Sequence, residues 1–396
     1  MTTERLYYTD SYLSRFAARV IDRADGGRRV YLARTAFYPT SGGQPFDTGL
    51  LGGVRVVEVV DEEARVAHLL EAPLAEGPVE GEVDWERRFD HMQQHTGQHL
   101  LSAVMADLFG YQTVSVHFGP ESATLDLEVS AITPEQVRVA EARANTVVTE
   151  NRAISVRFED AATATGLRKA SDRTGILRVV TIADLDRSAC GGTHLRTTGE
   201  IGAILIRRSE RAKKLVRLEF LCGGRAVRRA RADFDALASV ATEASTGIDD
   251  VPALFEKQRA DLKQAESARR GLEEELNGYR ARALYEAAPS SGAGGRLVLH
   301  RLASGSVESL RGLATAVTAL PGAVFIGALA SPPTILFATA TDRGLDAGAT
   351  LKPILAELGG RGGGQARLAQ GTVPGAADLE AAIARLAATA DGGALP

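Results

Sequence analysis

Apolar positions keep a period near two over the first part of the chain, mix two periods through its middle, turn to helical spacing over residues 225–288 and mix the two again beyond residue 296. From Leu6 to about Val83 the alternation predicts short strands and turns. Phe16–Ile21 and Arg29–Arg34 flank Asp25-Gly26-Gly27, a hairpin signal, and Gly53–Val60 alternates ahead of a partner at Ala64–Leu70. Short strands at this spacing predict a small β-barrel over residues 1–84. Phe37–Gly49 interrupts them with too many turn residues for a strand. Two readings of that stretch stand side by side. It is a surface loop, or a glycine-rich ledge presenting Thr40, Ser41, Gln44 and backbone N–H groups to a ligand.

Over residues 85–224 the pattern mixes helices and strands. A helix is predicted from about Trp85 to Phe109, with Asp84 as N-cap and Gly110 as stop. Strands follow at Thr113–Phe118 and Ala123–Glu128. Thr133-Pro134 then opens a helix reaching roughly Asn151, with Thr at N-cap and Pro at N1. Ile154–Phe158, Leu177–Thr181, Ile201–Arg208 and Leu215–Leu221 read as further strands, and the grouping predicts a two-layer α+β sandwich with one antiparallel sheet.

Residues 225–288 read as a helical arm, broken at Thr246-Gly247 and capped again by Asp249-Asp250. Phe255, Gln258, Leu262, Ala265, Arg269, Leu272, Leu276, Tyr279 and Ala283 step by four and three, a heptad spacing. An antiparallel arm or a coiled coil pairing two copies of the chain would both produce it. Pro289–Gly295 is a linker. Residues 296–396 read as a small α/β unit, with strands at Arg296–Arg301, Ala323–Ala328 and Thr334–Ala340. Helices there are expected near Val307–Ala319, Leu351–Leu358 and Ala376–Ala387, with the glycine-rich stretch Gly359–Gly371 as a loop. The fold class expected is therefore α+β and multidomain.

Length and composition narrow the class. The 396 residues suffice for two to four domains, and the apolar and charged fractions are those of a soluble globular protein. No run approaches a membrane span, and Met1–Arg5 lacks the regions of a signal peptide, so a cytoplasmic location is expected. The two cysteines, Cys190 and Cys222, make no disulfide framework and leave a thiol available as a ligand. A net charge of −4 argues against indiscriminate coating of nucleic acid, though a basic face exists. Arg207, Arg208, Arg211, Lys213, Lys214 and Arg217 fall on one hairpin, and Arg225, Arg228, Arg229 and Arg231 continue into a helix. A phosphate clamp and a solvated face are both compatible with that pattern.

Three of the seven histidines, His91, His95 and His99, form a stripe on the first helix. Residues four apart share a helix face, so His95 and His99 can aim their rings at one atom. By itself the pair also suits a solvated face or satisfied interior imidazoles. The stripe lacks the glutamate of a zinc-protease helix, and no Pro-Cys-x-x-Cys element of a zinc deaminase exists. Cys190-Gly-Gly-Thr-His194 supplies a thiolate and an imidazole also four apart, about ninety residues away along the chain. Three nitrogens and one sulfur make a tetrahedral set for one zinc ion per chain. Otherwise Cys190 is a buried small hydrophobe and His194 incidental. His117, alternating on the strand after the helix, either faces the same pocket or lies on a bare strand face. Cys222 reads as a packing residue.

Phe37-Tyr-Pro-Thr-Ser-Gly-Gly-Gln-Pro-Phe-Asp-Thr-Gly49, Asp90-His-Met-Gln-Gln-His-Thr-Gly-Gln-His-Leu-Leu101, Cys190-Gly-Gly-Thr-His194 and a C-terminal Gly-Gly-Arg-Gly-Gly-Gly…Ala-Gln-Gly stand in one order along the chain. In that order they resemble the editing domain of alanyl-tRNA synthetase and its free-standing relatives, the alanyl-tRNA editing proteins (the AlaX group). The last motif resembles the DHH-associated module at the end of those synthetases. The chain opens directly on the barrel, as in the long form of the free-standing proteins. The resemblance implies a zinc-containing editing domain over 85–224, a DHH-associated module over 296–396, and hydrolysis of seryl-tRNA(Ala), with glycyl-tRNA(Ala) as a further substrate. It implies zinc on His95, His99, Cys190 and His194, a loop with Thr40 and Ser41 facing the amino-acid pocket, and the acceptor end of tRNA(Ala) as partner. Beside these motifs the basic hairpin with Arg208, Lys213 and Lys214 is read as a tRNA contact, as are Arg361 and Arg367. Gln365-Ala-Arg-Leu368 departs there from the family's Arg-Pro-Asp-Met. No side chain stands out as a general base. The rival readings are a non-catalytic tRNA- or synthetase-binding protein with a structural zinc, and a phosphoesterase; the aspartate-histidine-histidine motif of the latter is absent, since Asp90-His91 is followed by Met92.

Overall fold

A computed structural model describes residues 2–170, 172, 174–290 and 295–392. Two compact units divide between Glu243 and Ala244. Together they hold several antiparallel sheets and, among the described residues, seven α-helices.

The first unit begins with β1 (Glu4–Arg5), β2 (Arg15–Ala24), β3 (Arg29–Leu32), β4 (Arg34–Thr35), β5 (Gly49–Leu51), β6 (Val54–Glu62), β7 (Arg65–Leu70) and β8 (Gly77–Val83). β1 pairs with β4, and the remaining six pair in the ring β2–β3–β7–β6–β5–β8, with β8 returning to β2. Most inward positions of the alternation are aliphatic, so Val20, Val30, Leu32, Leu51, Val56, Val59 and Val66 fill the interior beside the ring of Phe16. Polar side chains are enclosed with them as well. His68 is fully buried, its Nε2 2.8 Å from Thr35 Oγ1 and its Nδ1 3.4 Å from the Val30 carbonyl. Burial, opposed only by that carbonyl, pulls its pKa down to about 4.

Helix α1 (Trp85–Phe109) has the ends expected of it. Asp84 accepts the Arg87 N–H, and Gly110 stops the helix at φ 72°, where a Cβ would be strained. It is buried nearly all round from His91 to Met105, as befits a helix enclosed between layers. Around it lie β9 (Thr113–Phe118), β10 (Ala123–Leu127), α2 (Pro134–Thr149), β11 (Ile154–Asp160), β12 (Ile176–Ile182), β13 (Asp186–Ala189), β14 (Ile204–Ala212), β15 (Leu215–Cys222) and α3 (Gly223–Glu243). Thr133 caps α2 in a reciprocal capping box with Gln136.

The strands form two sheets here instead of the single one expected: β14–β15–β10–β9 and β11–β12–β13. Alternation marks a strand but does not name its neighbour. α1 packs against strands of both sheets, including β13, which was too short to show a period. Close approach makes this possible at Gly97, where a Cβ would stand 2.2 Å from Cys222 Sγ. Cys222 is a buried packing residue there, its thiol pKa raised by burial.

The second unit contains α4 (Val251–Ala287), β16 (Arg296–Leu302), α5 (Val307–Thr318), β17 (Ala323–Leu329), β18 (Thr334–Thr339), α6 (Ala347–Glu357), β19 (Arg361–Gly364), β20 (Leu368–Thr372) and α7 (Ala376–Ala390). Its sheet runs β16–β17–β18–β20–β19, with β17 and β18 buried on both faces. Gly359–Gly371, expected as a loop, is an edge hairpin. Glycine hid the strand because it carries no side chain to alternate, yet a Cβ at Gly362 would lie 2.3 Å from the Gln370 carbonyl oxygen. On α4 the heptad residues Phe255, Leu262, Leu272, Leu276 and Tyr279 are exposed, while Ala281 is buried beside α5. Of the expected linker, residues 291–294 lie outside the described residues. No helix among the described residues is long and apolar enough to cross a membrane.

Candidate metal centre

α1 presents His95 and His99 one turn apart, and the segment after β13 brings Cys190 and His194 against them. The donor atoms of all four lie within 4.8 Å of one another. Cys190 Sγ stands 3.4 Å from His95 Nε2 and 3.3 Å from His194 Nε2. Bond lengths to a tetrahedral zinc would set nitrogen and sulfur about 3.6 Å apart, so the cluster fits such an ion. His91, one turn earlier, is buried but outside the cluster.

The remaining ring nitrogens are occupied, and this fixes which atom faces the centre. His95 Nδ1 is 2.7 Å from Gln44 Oε1, His99 Nδ1 is 3.1 Å from Asp186 Oδ2, and His194 Nδ1 is 3.2 Å from Thr96 Oγ1. An amide oxygen and a carboxylate accept only, so His95 and His99 donate through Nδ1 and turn Nε2 toward the centre. Gln44 does more: Thr193 N–H also donates to its Oε1, and its Nε2 donates to Thr193 Oγ1 at 2.7 Å. Asp186 is held in turn by Arg168 Nε at 2.7 Å and by Ser188 Oγ.

Electrostatics suit a cation. Burial by itself would raise the Cys190 thiol, but His95, His194 and His99 hold it well below its ordinary pKa, favouring the thiolate that ligates metals. Burial lowers His194 to about 3, so that ring is neutral. His99 also loses to burial, but the Cys190 and Asp186 charges outweigh this and raise it to about 9.

Neither glycine between Cys190 and His194 has a positive φ, so left-handed backbone is not what they supply. Gly192 is needed for a different reason. A Cβ there would lie 2.1 Å from His95 Cε1.

A cavity of about 550 Å³ opens on the cluster, and Tyr8, Tyr38, Ser41, Gln98, Lys169 and Ser188 share its walls. The loop residues expected to line it separate into three roles. Ser41 reaches the cavity, on a small turn closed by two backbone bonds to Gln44. Gln44 lies behind the histidine, buried. Thr40 is exposed, its Oγ1 accepting the Phe46 N–H at 3.2 Å. His117 is exposed too, whereas its neighbour Phe118 packs on His95 with ring centroids 5.3 Å apart.

The loop is pinned to α1 by a fully enclosed ion pair, Arg88 with Asp47. Arg88 Nε lies 3.0 Å from each Asp47 oxygen, and its other nitrogens donate to the carbonyls of Ser11 at 2.8 Å and Ala36 at 2.6 Å. Tyr38 N–H donates to the same carboxylate.

Asp186, Thr96 and the Arg88–Asp47 pair escaped the sequence reading. For Asp186 a signal existed, since alternation puts Asp186, Ser188 and Cys190 on one side of a strand. Arg208, Lys213 and Lys214 are exposed on the β14–β15 hairpin, Arg208 near Glu210 at 3.6 Å, and Arg361 and Arg367 are exposed on the glycine hairpin of the second unit.

Known proteins match this chain along nearly its whole length. Residues 177–219, which include Cys190 and His194, match the threonyl and alanyl tRNA synthetase second additional domain, and residues 277–391 match the DHHA1 domain. The alanyl-tRNA editing protein Aarsd1 of Mus musculus is 31% identical over 395 residues, covering 91% of this chain and 92% of that protein. The alanyl-tRNA editing protein AlaX-L of Pyrococcus horikoshii is 28% identical, covering 93% and 94%. An alanine–tRNA ligase of Korarchaeum cryptofilum is 32% identical over 94% of this chain but only 43% of the ligase. The ordered motifs, the clustered ligands and these full-length likenesses agree: the chain belongs to the alanyl-tRNA editing protein family.

Proposed function

We propose that the protein is a trans-editing aminoacyl-tRNA deacylase that hydrolyses the ester of seryl-tRNA(Ala), and of glycyl-tRNA(Ala) as a second substrate. The observation that carries this reading is the pre-oriented His95–His99–Cys190–His194 cluster at the wall of a cavity that Ser41 shares. An alanine activation pocket rejects serine poorly, because one added hydroxyl excludes little, so a second hydrolytic sieve is needed. The hydroxyl of Ser41 offers the polar partner for a serine side chain that an alanine site lacks.

Zinc, when bound by these four residues, would supply Lewis-acid polarisation to the ester or to water. The protein's own part is positional. Gln44, Asp186 and Thr96 hold the imidazoles in one tautomer, and the walls hold the ester against them. The carboxylates near the cavity are engaged elsewhere: Arg5 grips Asp61 through two 2.7 Å bonds, and Asp186 is held by Arg168, Ser188 and His99. The hydroxyl beside the ester on the terminal ribose is thus left to relay the proton. The basic hairpin bearing Arg208, Lys213 and Lys214 serves the acceptor end, and Arg361 and Arg367 of the second unit serve other phosphates of the tRNA.

Four protein ligands already complete a tetrahedron, which favours a second reading: a structural zinc in a non-catalytic tRNA- or synthetase-binding protein. Purified zinc-loaded protein incubated with seryl-, glycyl- and alanyl-tRNA(Ala) separates the two. Loss of the seryl ester well above the buffer rate, with alanyl-tRNA spared, is expected. Hydrolysis no faster than buffer would leave the binding-protein reading.

A further inference from the structure

A second cavity, of about 870 Å³, lies on the N-terminal side of the histidine stripe, and its use is not explained by the metal cluster. Its walls combine rings and ring-like faces (Trp85, Phe89, Phe118 and Pro45) with the guanidinium of Arg228 from α3. Trp85 is partly exposed and Phe89 half-buried, with ring centroids 5.7 Å apart. His91 lines the same cavity while itself nine-tenths buried, and its Nδ1 has no hydrogen-bond partner among the described residues. That nitrogen is itself closed to solvent, and an unpaired buried polar atom in a residue of the wall is one that a ligand's own donor or acceptor would satisfy.

The charges point the same way. Of the carboxylates in the wall, Asp84 caps α1 and Asp90 is paired by Arg225 at 2.6 Å; Glu86 stands beside Trp85 at the start of α1. Arg228 is exposed and makes no ion pair or hydrogen bond among the described residues. A smaller cavity of about 380 Å³ shares Pro120, Arg225 and Arg228 with the first and adds Arg207 and Arg229, paired with Glu219 and Asp233, so guanidinium groups continue from one to the other with Arg228 the one that has no carboxylate partner among the described residues.

We propose that this groove takes the unpaired nucleotides of a single-stranded RNA end. One base would stack on Trp85 and Phe89 with an edge toward His91, and the backbone phosphates would run past Arg228. Aromatic faces accept any base, and cationic side chains beside them follow the backbone. Phe118 joins the groove to the chemistry, since it lines the groove and also packs on His95. A strand stacked here lies one aromatic wall from the metal cluster. This assignment rests on the deacylase reading for its substrate, and names the subsite that would hold the strand next to the scissile ester.

The chain's single tryptophan makes the test direct, because Trp85 fluorescence reports this groove without background from another indole. The zinc-loaded full chain is titrated with the ribotrinucleotide CCA and, separately, with an abasic ribose-phosphate chain of the same length. Saturable quenching by CCA and none by the abasic chain is expected, with Arg228→Glu weakening CCA binding about tenfold or more and making its loss with salt shallower, because fewer phosphates are neutralised. Absent quenching, equal quenching by the abasic chain, or an unchanged Arg228→Glu affinity would each overturn the groove. Seryl-tRNA(Ala) hydrolysis is followed on the same preparation. Hydrolysis without quenching removes the groove alone; quenching without hydrolysis removes the deacylase reading alone.

Discussion

Replacing Arg88 with methionine tests how the glycine-rich loop is held over the metal cluster. The guanidinium is fully enclosed and makes contacts to both Asp47 oxygens and to the carbonyls of Ser11 and Ala36. Methionine fills much of the volume but strands a buried carboxylate and two carbonyls. Breaking an enclosed pair from one side costs about 3–5 kcal/mol, so roughly 4 kcal/mol is expected here. Urea unfolding followed by Trp85 fluorescence reads the first unit alone, and with a slope of about 2–3 kcal/mol per molar the midpoint should fall by about 1.5 M. Asp47→Asn keeps an acceptor for Tyr38 N–H while removing the charge. The double variant Arg88→Met/Asp47→Asn should therefore be more stable than the sum of the single losses by at least about 2 kcal/mol. A midpoint shift below about 0.4 M for Arg88→Met, or strictly additive losses, would refute the claim that this pair anchors the loop.

Two further outcomes follow from the geometry. Gly192→Ala would push a Cβ to 2.1 Å from the His95 ring, so zinc per chain measured by atomic absorption should fall well below one, whereas Gly191→Ala, 3.8 Å from its nearest neighbour, should retain it; equal zinc in both would show that His95 is not a ligand. His68 titrates at about 4 when folded against about 6.5 unfolded, so the unfolded chain binds the extra proton first and stability is lost as pH falls through that window. About 2.5 kcal/mol should disappear between pH 7 and 4.5, and His68→Gln should flatten that slope; an unchanged slope would remove His68 as its source.

Much of this could be read in the chain itself, and the reasons it stopped where it did are physical. The bounds of α1 were legible because caps are local: Asp84 and Gly110 act on backbone groups within one turn. Ligand spacing was legible for the same reason, since four residues along a helix or a short turn define a face. Strand pairing was not, because β11–β13 find one another across distances that alternation does not encode. The glycine hairpin at Arg361–Thr372 was missed because a strand without side chains has no period. Gln44 was recognised as a site residue but given the wrong place. Its contacts are with residues 51 and 149 positions away, and only the folded chain brings those together.

The amide of Gln44 leaves its position almost no chemical latitude. It must accept from a ring N–H and a backbone N–H at one end while donating to a hydroxyl at the other. Glutamate keeps the acceptor but loses the donor and adds a charge beside the thiolate; asparagine is one methylene short; methionine fits and says nothing to either partner. The barrel, through this one side chain, sets the angle of a histidine it does not contain. The half that bears the cluster, separated from its barrel, would keep all four candidate ligands and lose the part that tells His95 which way to face.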